Sequence, residues 1–339
     1  MPSSDSPGEG GNPLVSVLTP VYNGEPYLAE CIESVLAQTY GNWVYTIVDN
    51  CSTDRTAEIA ADYAARSERI RVVRNEKHVR VIANHNMAIS RIHPGSAYCK
   101  FVYADDWIFP ECIEKMVTLA EKYPRVGIVA AYGLRGIDVT WDGLPYATTV
   151  IDGRRACRDR LLGGPYLFGT MTSVLFRSEV FTAKDPFFNE ANLHGDKEAC
   201  FEALQRWDLG FVHQVLSFTR TENDTLTSYS RRMNTYLPSY LHDLLKFGPA
   251  VLSPEELKEK VDARIAQYYK FLADQFFERR DKEFWGFHRS RLSELGYPLS
   301  RTRLAGAIVL RAVDSLLNPK RAVEGLVRRI GERRGRGRS

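Results

Sequence analysis

The stretch Val15–Thr56, VSVLTPVYNGEPYLAECIESVLAQTYGNWVYTIVDNCSTDRT, decides the fold. Its opening apolar run, Leu14–Leu18, has the length and composition of a buried strand. Leu28, Cys31, Ile32, Val35 and Leu36 follow at i, i+3, i+4, i+7 and i+8, which lines up one face of a helix. Pro26 stands where a first-turn proline fits. Val44–Val48 (VYTIV) is a second strand, and Ser52, Thr53 and Asp54 offer capping oxygens to a helix through Ala57, Ile59, Ala60, Tyr63 and Ala64. Two strand–helix beats thus stand back to back.

Outward from this stretch the beat continues through the strand Ile70–Val73, a helix near Val81–Ile92 and the strand Tyr98–Tyr103. A helix opened by Pro110 carries Ile113, Met116, Val117 and Ala120 on one face, and Val126–Ala130 is a further strand. Strands alternating with helices imply right-handed crossovers, a largely parallel sheet and ligands at the carboxyl ends of its strands. After Tyr132 the alternation lapses until Ser173–Phe176, a helical stretch Asp196–Gln205 and the strand-like Phe211–Phe218. From about Tyr236 the periodicity is helical, through Leu237, Leu241, Leu244 and Leu245, then Val261, Ile265, Tyr268, Tyr269, Leu272, Phe276 and Phe277. No fixed-period repeat interrupts this order. The expected organisation is a disordered leader over 1–12, an α/β domain over 13–235, a helical region over 236–299, and a basic amphipathic helix and tail over 300–339.

Composition narrows the class. With 44% apolar and 26% charged residues in 339, collagenous, disordered and disulfide-scaffold classes are excluded. The longest apolar runs, around Val126–Tyr132 and Leu304–Leu310, fall far short of the ~20 residues that a membrane span requires. Met1–Asn12 is Ser, Gly, Pro and acid without a basic start or apolar stretch, unlike a signal peptide. The six cysteines have no C-x-x-C spacing, which argues against a zinc ribbon or disulfide framework and makes a reducing cytoplasm the expected location. The net charge of +3 hides an asymmetry: Ser300–Ser339 holds eleven Lys/Arg against three acids, net +8, leaving −5 for the rest. A general nucleic-acid surface is therefore not expected.

Neither G-x-G-x-x-G nor G-x-x-x-x-G-K-[ST] occurs, so a diphosphate ligand would need a cation rather than a glycine cradle. Strand Tyr98–Tyr103 ends in Ala104-Asp105-Asp106-Trp107, two adjacent carboxylates at a ligand edge. By spacing alone the pair reads equally as ligands for Mg²⁺ or Mn²⁺ or as acids at a helix N-terminus. Asp49 ends the second strand, where a carboxylate can accept from a base or ribose; taken alone it reads more readily as a turn former beside Ser52 and Thr53.

Together, these residues make the chain resemble family 2 glycosyltransferases of the GT-A fold. Val15–Asn23 matches V-S-V-x-x-P-x-Y-N, Ser34–Tyr40 matches S-x-x-x-Q-T-Y, Val48–Asp54 matches V-D-x-x-S-T-D, and Phe101–Pro110 (FVYADDWIFP) carries the acidic motif. The resemblance covers about Pro13 to Ser230 and implies a Rossmann-like, mostly parallel sheet flanked by helices, with a helical C-terminal region. It implies that Thr19, Pro20, Tyr22 and Asn23, with Glu25 after them, lie on the loop bordering the nucleotide, Tyr22 stacking on the base. By the same resemblance Asp49 recognises the base, Arg80 lies near the nucleotide or diphosphate, and Asp105 and Asp106 hold ribose and a divalent cation, Mn²⁺ or Mg²⁺, with Asp106 the metal ligand. His194-Gly195-Asp196-Lys197-Glu198 falls where the family places its catalytic base; Asp196 aligns best, Glu198 competes, and an N-cap acid is the plain alternative. Tyr103 replaces the first acid of the family's D-x-D-D, Asn50-Cys51 replaces Asp-Gly, and Arg220 is followed by Thr221, Glu222 and Asn223 instead of a histidine.

The function this implies is inverting transfer of a sugar from a nucleoside-diphosphate sugar, with UDP the expected nucleotide, to a hydroxyl on a glycan, a lipid or another cell-surface precursor. Gly163–Thr172 reads either as part of a sugar pocket or as a bend before the next strand. A nucleotidyltransferase is the alternative within nucleotide-sugar chemistry, though it would open with a glycine-rich loop bearing Arg and Lys. A non-enzymatic membrane adaptor is the alternative from another class: Leu304, Ile308, Leu310, Val313, Leu316 and Leu317, flanked by arginines, would lie on anionic lipid at the inner face of the cell membrane, while core packing of the same helix is the plain reading.

Overall fold

All seven residues of β1 (Val15–Val21) are buried because parallel strands flank it on both sides and helices cover both faces of the sheet. The computed structural model describes residues 12–220 and 226–317 and divides the chain into two compact units, Met1–Asp224 and Thr225–Ser339. The expected leader, apart from Asn12, and the tail from Asn318 onward lie outside the described residues.

The first unit continues from β1 through α1 (Leu28–Leu36), β2 (Trp43–Asp49), α2 (Thr56–Arg66), β3 (Ile70–Arg74), α3 (Val81–Ile89) and β4 (Tyr98–Phe101). Then come β5 (Trp107–Ile108), α4 (Cys112–Lys122), β6 (Val126–Arg135), β7 (Asp138–Thr140), β8 (Val150–Ile151), α5 (Gly153–Leu161), β9 (Val174–Arg177), α6 (Gly195–Ala203) and β10 (Asp208–Thr219). One buried cluster joins Val15, Val17 and Val21 of β1 to Leu28, Ile32 and Val35 of α1 and to Ile113, Met116 and Val117 of α4. Pro26 stands ahead of its expected place, two residues before the first helical residue: α1 begins at Leu28, and Pro26 belongs to the turn in which Tyr27 and Leu28 N–H both reach Gly24 O, at 3.0 and 2.9 Å. A Cβ at position 24 would lie 2.6 Å from Val21 Cγ2, so this close approach requires glycine.

The sheet order is β3-β2-β1-β4-β9-β6-β10-β5. The four strands of the first half pair in parallel, as do β6 and β10. Between these blocks β9 runs antiparallel to both β4 and β6. Two reversals restore direction, so β1, β2, β4, β6 and β10 all end at one edge. The short strands β5, β7 and β8 pair antiparallel at the periphery.

The second unit is helical: α7 (Leu226–Met233), α8 (Tyr236–Val251), α9 (Pro254–Phe277), α10 (Lys282–Glu294) and α11 (Arg301–Leu317). Ser253 and Glu256 form a capping box at the start of α9, and the Asp281 side chain caps α10. Val261, Ile265, Tyr268 and Leu272 are buried as their spacing predicts, while Phe276 and Phe277 are half exposed. Among the described residues no helix is long and apolar enough to cross a membrane, and all six cysteines are free thiols.

Candidate active site

The ends of β1 and β2 stand side by side, Val21 opposite Asp49, so the loops that follow them meet. Backbone amides and side-chain oxygens lace the two loops together: Asn23 N–H donates to Ser52 Oγ at 2.9 Å, Thr53 N–H to Asn23 Oδ1 at 2.9 Å, Gly24 N–H to Thr56 Oγ1 at 2.8 Å, and Glu25 N–H to Asp54 Oδ2 at 3.0 Å. Arg55 N–H returns to Glu25 Oε2 at 3.1 Å. Asn23 and Cys51 take left-handed backbone, with φ of 50° and 60°, which Asn tolerates better than most residues. Asn23 and Glu25 thus act as braces. Tyr22 remains 47% exposed, its ring 4.4 Å from that of His78, an aromatic surface at the sheet edge.

Asp49 is wholly buried, and both readings of it have structural content. Its Oδ1 accepts the Ser52 N–H at 2.9 Å, as a turn former does, while Oδ2 faces Arg74 Nε at 3.4 Å. Asn50 fastens the next loop by exchanging hydrogen bonds with Val79, which sets the exposed Arg80 at the start of α3. Thr19 and Pro20 are a correction in placement. Both lie within β1, and Thr19 Oγ1 faces the core, donating to Val102 O at 2.6 Å and lying 2.8 Å from Tyr45 Oη. An alternating strand forces this: a side chain two residues from an inward-facing valine points the same way.

At the end of β4 the chain turns sharply, Asp106 N–H to Tyr103 O at 2.9 Å, and presents Asp105 and Asp106. Asp106 is 3% exposed; Thr172 Oγ1 donates to its Oδ2 at 2.7 Å and Arg220 N–H to its Oδ1 at 3.3 Å. Burial first, and then the neighbouring Asp105 charge, push Asp106 up to about 8. Arg220 braces the turn, its Nε donating to Asp105 O at 3.3 Å and its guanidinium pairing with Glu30 at 2.5 Å over the ring of Tyr27. Behind Thr172 lies Lys100, fully buried, whose Nζ donates to Thr172 O at 2.5 Å and Val174 O at 3.0 Å. Burial lowers the Lys100 pKa.

This donor set suits a hard divalent cation. A buried carboxylate whose ionisation is opposed by burial and by a like charge gains most from a cation nearby. No group of three or more His, Cys, Asp or Glu is gathered for a metal among the described residues. Magnesium-type sites commonly need only one or two carboxylates and take their remaining ligands from phosphate and water.

Asp196 lies in the first turn of α6, partly buried, with Oδ1 accepting Lys197 N–H at 2.7 Å. Its relation to the acidic turn is read at Tyr103. Burial pushes the Tyr103 hydroxyl well above its ordinary value, and the charges of Asp196, Asp106 and Asp105 push it further in the same direction. The charges of carboxylates from two distant segments therefore both act on one phenol. Tyr103 is held by His85, stacked 5.1 Å away between ring centres and kept neutral by burial, with its pKa lowered to about 4. Glu198 is 1% exposed and accepts from the Asn189 and Asn192 amides, the latter at 2.6 Å, so its carboxylate ties down the segment ahead of α6. Thr172 and the bracing by Arg220 have no local sequence signal; they meet Asp106 across 66 and 114 residues.

Residues 16–183 match the model of glycosyl transferase family 2. EpsE of Bacillus subtilis (strain 168) is 39% identical over 132 residues, 37% of this chain and 47% of EpsE. Glycosyltransferase GlyG of Streptococcus pneumoniae serotype 4 is 37% identical over 119 residues, 35% of this chain and 39% of GlyG. The chain thus spans about half or less of the length of these curated relatives. Among solved structures, S. aureus TarS 1-349 in complex with UDP-GlcNAc superimposes with a TM-score of 0.62 at 16% identity, covering 83% of this chain and 80% of that one. The mannosyltransferase PcManGT from Pyrobaculum calidifontis, in complex with GDP-Man and Mn²⁺, gives 0.53 at 15% identity, covering 95% of this chain and 86% of that one. The fold is therefore of the GT-A glycosyltransferase kind, and through the domain built on residues 16–183 the chain belongs to glycosyl transferase family 2.

Proposed function

We propose that the chain is an inverting glycosyltransferase, moving a sugar from a nucleoside-diphosphate sugar, UDP-linked, to an acceptor hydroxyl on a glycan, a lipid-linked unit or another cell-surface precursor. The observation that carries this reading is that the charges of Asp105, Asp106 and Asp196 all act on the Tyr103 hydroxyl, beside an acidic turn whose Asp106 is held by Thr172 and Arg220. Asp196, at the mouth of α6, accepts the proton of the acceptor hydroxyl as its oxygen attacks the anomeric carbon opposite the diphosphate; general-base help of this kind typically gives ~10²–10⁴-fold. Asp106, assisted by Asp105, is the ligand for Mn²⁺ or Mg²⁺. The chemistry a bound divalent ion supplies is neutralisation of the departing diphosphate.

Tyr22 stacks on the base, Asp49 accepts from base or ribose, and Arg80 lies toward the diphosphate. Asn23 and Glu25 keep the loop under the nucleotide rigid, and Thr19 and Pro20 fix the strand that carries it. The UDP-GlcNAc in the TarS complex and the GDP-Man and Mn²⁺ in the PcManGT complex support a nucleotide sugar and a divalent cation.

The test is a thermal-shift screen of UDP-, GDP- and dTDP-sugars with and without Mn²⁺. At a hundredfold excess over Kd, a ligand that binds only the folded state adds about 2.7 kcal/mol of stability. A UDP-sugar is expected to raise the melting temperature by several degrees, and more with Mn²⁺ than without. Failure of all three sugars to shift it under either condition contradicts the proposal.

A further inference from the structure

Helix α11 has two unlike sides. Leu304, Ile308, Arg311 and Ser315 are partly buried, and Arg311 is tied to Asp274 of α9. The opposite side carries Val309, Leu310, Val313, Leu316 and Leu317, which are 60, 72, 44, 80 and 74% exposed. Their spacing, i, i+1, i+4, i+7 and i+8, makes a single apolar stripe without a charge in it. Scattered exposed leucines are ordinary, but a continuous row of five is not. Phe276 and Phe277, 52 and 48% exposed, add further apolar surface at the end of α9.

We propose that this face of α11 lies in the surface of an anionic lipid bilayer, with the basic chain after it held against the headgroups. The stripe is bordered by the exposed Arg301 and Arg303, and the helix's one acid, Asp314, is 3.6 Å from Arg311. Beyond Leu317, residues 318–339 contain eight Lys/Arg and two Glu, net +6. An apolar helix face binds bilayers weakly alone, and a polybasic segment likewise; joined, they give stable peripheral attachment. Charge selects this occupant over the alternatives. A second copy of the chain would bring one cationic segment against another, and a nucleic acid would leave the apolar stripe in water. This inference is independent of the glycosyltransferase reading, since it concerns only the second unit and its sequence continuation.

The experiment is co-sedimentation of the full chain with vesicles of phosphatidylcholine alone and of phosphatidylcholine with phosphatidylglycerol, at low and high salt. Partitioning is expected to be at least ~10-fold greater on the phosphatidylglycerol vesicles and to fall with salt, because each basic residue near an anionic surface contributes ~5-fold. Leu310→Glu with Leu316→Glu should lower it by at least ~10-fold while the melting temperature stays within ~2 °C, as for surface substitutions. Replacing Arg333, Arg334, Arg336 and Arg338 by Gln removes four of the eight basic residues after Leu317 and should remove about half of the salt dependence. Equal partitioning on the two vesicle types, or unchanged partitioning of the Leu310→Glu/Leu316→Glu chain, overturns the proposal. So does light scattering that finds a dimer in the parent and a monomer in that variant, which would assign the stripe to self-association.

Discussion

Thr172→Val removes one hydroxyl and little volume from the centre of the candidate site. Thr172 is fully buried; its Oγ1 donates to Asp106 Oδ2 at 2.7 Å and accepts the Tyr103 N–H at 3.1 Å. Near pH 7, where Asp106 still holds its proton, losing this hydrogen bond costs ~0.5–1.5 kcal/mol, and leaving a buried N–H unpaired costs ~1–3 kcal/mol. A destabilisation of about 3 kcal/mol is expected, which for a unit of this size lowers the melting temperature by roughly 6–12 °C. A second effect follows from electrostatics. Folding raises the Asp106 pKa from 3.8 to about 8, so its ionised form weakens the fold increasingly as pH rises through that window. The Thr172 bond opposes the rise. Without it Asp106 holds its proton to higher pH, and because a cation must displace that proton, Mn²⁺ affinity near pH 7 should fall ~10-fold per unit of added shift. Thr172→Ser restores the hydroxyl and should recover both. Calorimetric titration of Mn²⁺ in the presence of UDP, with thermal melting of the same samples, reads the two effects. A valine variant that melts within ~1 °C of the parent and binds Mn²⁺ equally well refutes the reasoning.

Two further outcomes are expected. His85 and His288 are both buried and lowered from 6.5 to about 4; the unfolded chain therefore binds more protons, and their contribution, fully present above about pH 6.5, is lost as pH falls toward 4. In the first unit the gain from protonating Asp106 offsets the loss from His85, so it is the helical unit whose urea unfolding at about pH 5 should show ~2 kcal/mol less stability than near pH 7, and His288→Phe should flatten this dependence; an unchanged slope contradicts it. Glu198→Gln places an amide among the Asn189 and Asn192 donors and should cost ~2 kcal/mol in thermal melting, while donor turnover per folded molecule stays near the parent's; loss of turnover at unchanged stability would make Glu198 the base.

The parallel half of the sheet is legible because each of its strands is a continuous apolar run and each helix a periodic one, so burial on both faces writes itself into the composition of β1, β2 and β4. The insertion of β9 is not. Its short run VLFR would suit many partners, and its antiparallel place between β4 and β6 is set by pairing across more than seventy residues, such as Cys99 with Phe176. At the site, Asp49, Asp105, Asp106 and Asp196 stand at strand ends or a helix start that periodicity locates. Spacing alone left each with an innocent reading, and only the family's motifs separated them. The resemblance placed Thr19 on a loop because motifs record order along the chain rather than which way an alternating strand turns its side chains. Tyr103 reads as a missing acid, whereas its hydroxyl is the group on which the charges of all three acids act. Lys100 reads as an ordinary charged residue, and its burial beneath Thr172 depends on β9 being where it is.

Slow hydrolysis of the donor, with water in place of the acceptor, allows the central claim to be measured without knowing the natural acceptor. Released UDP is followed for the parent, Asp196→Asn and Asp106→Asn, beside UDP–Mn²⁺ affinity of each protein. Asp196→Asn should lose at least ~10²-fold in turnover with UDP–Mn²⁺ affinity nearly unchanged, whereas Asp106→Asn should lose the Mn²⁺-dependent part of binding. An Asp196→Asn protein that turns over as the parent does, or an Asp106→Asn protein that binds UDP–Mn²⁺ as the parent does, would contradict the account of a site shared by these carboxylates.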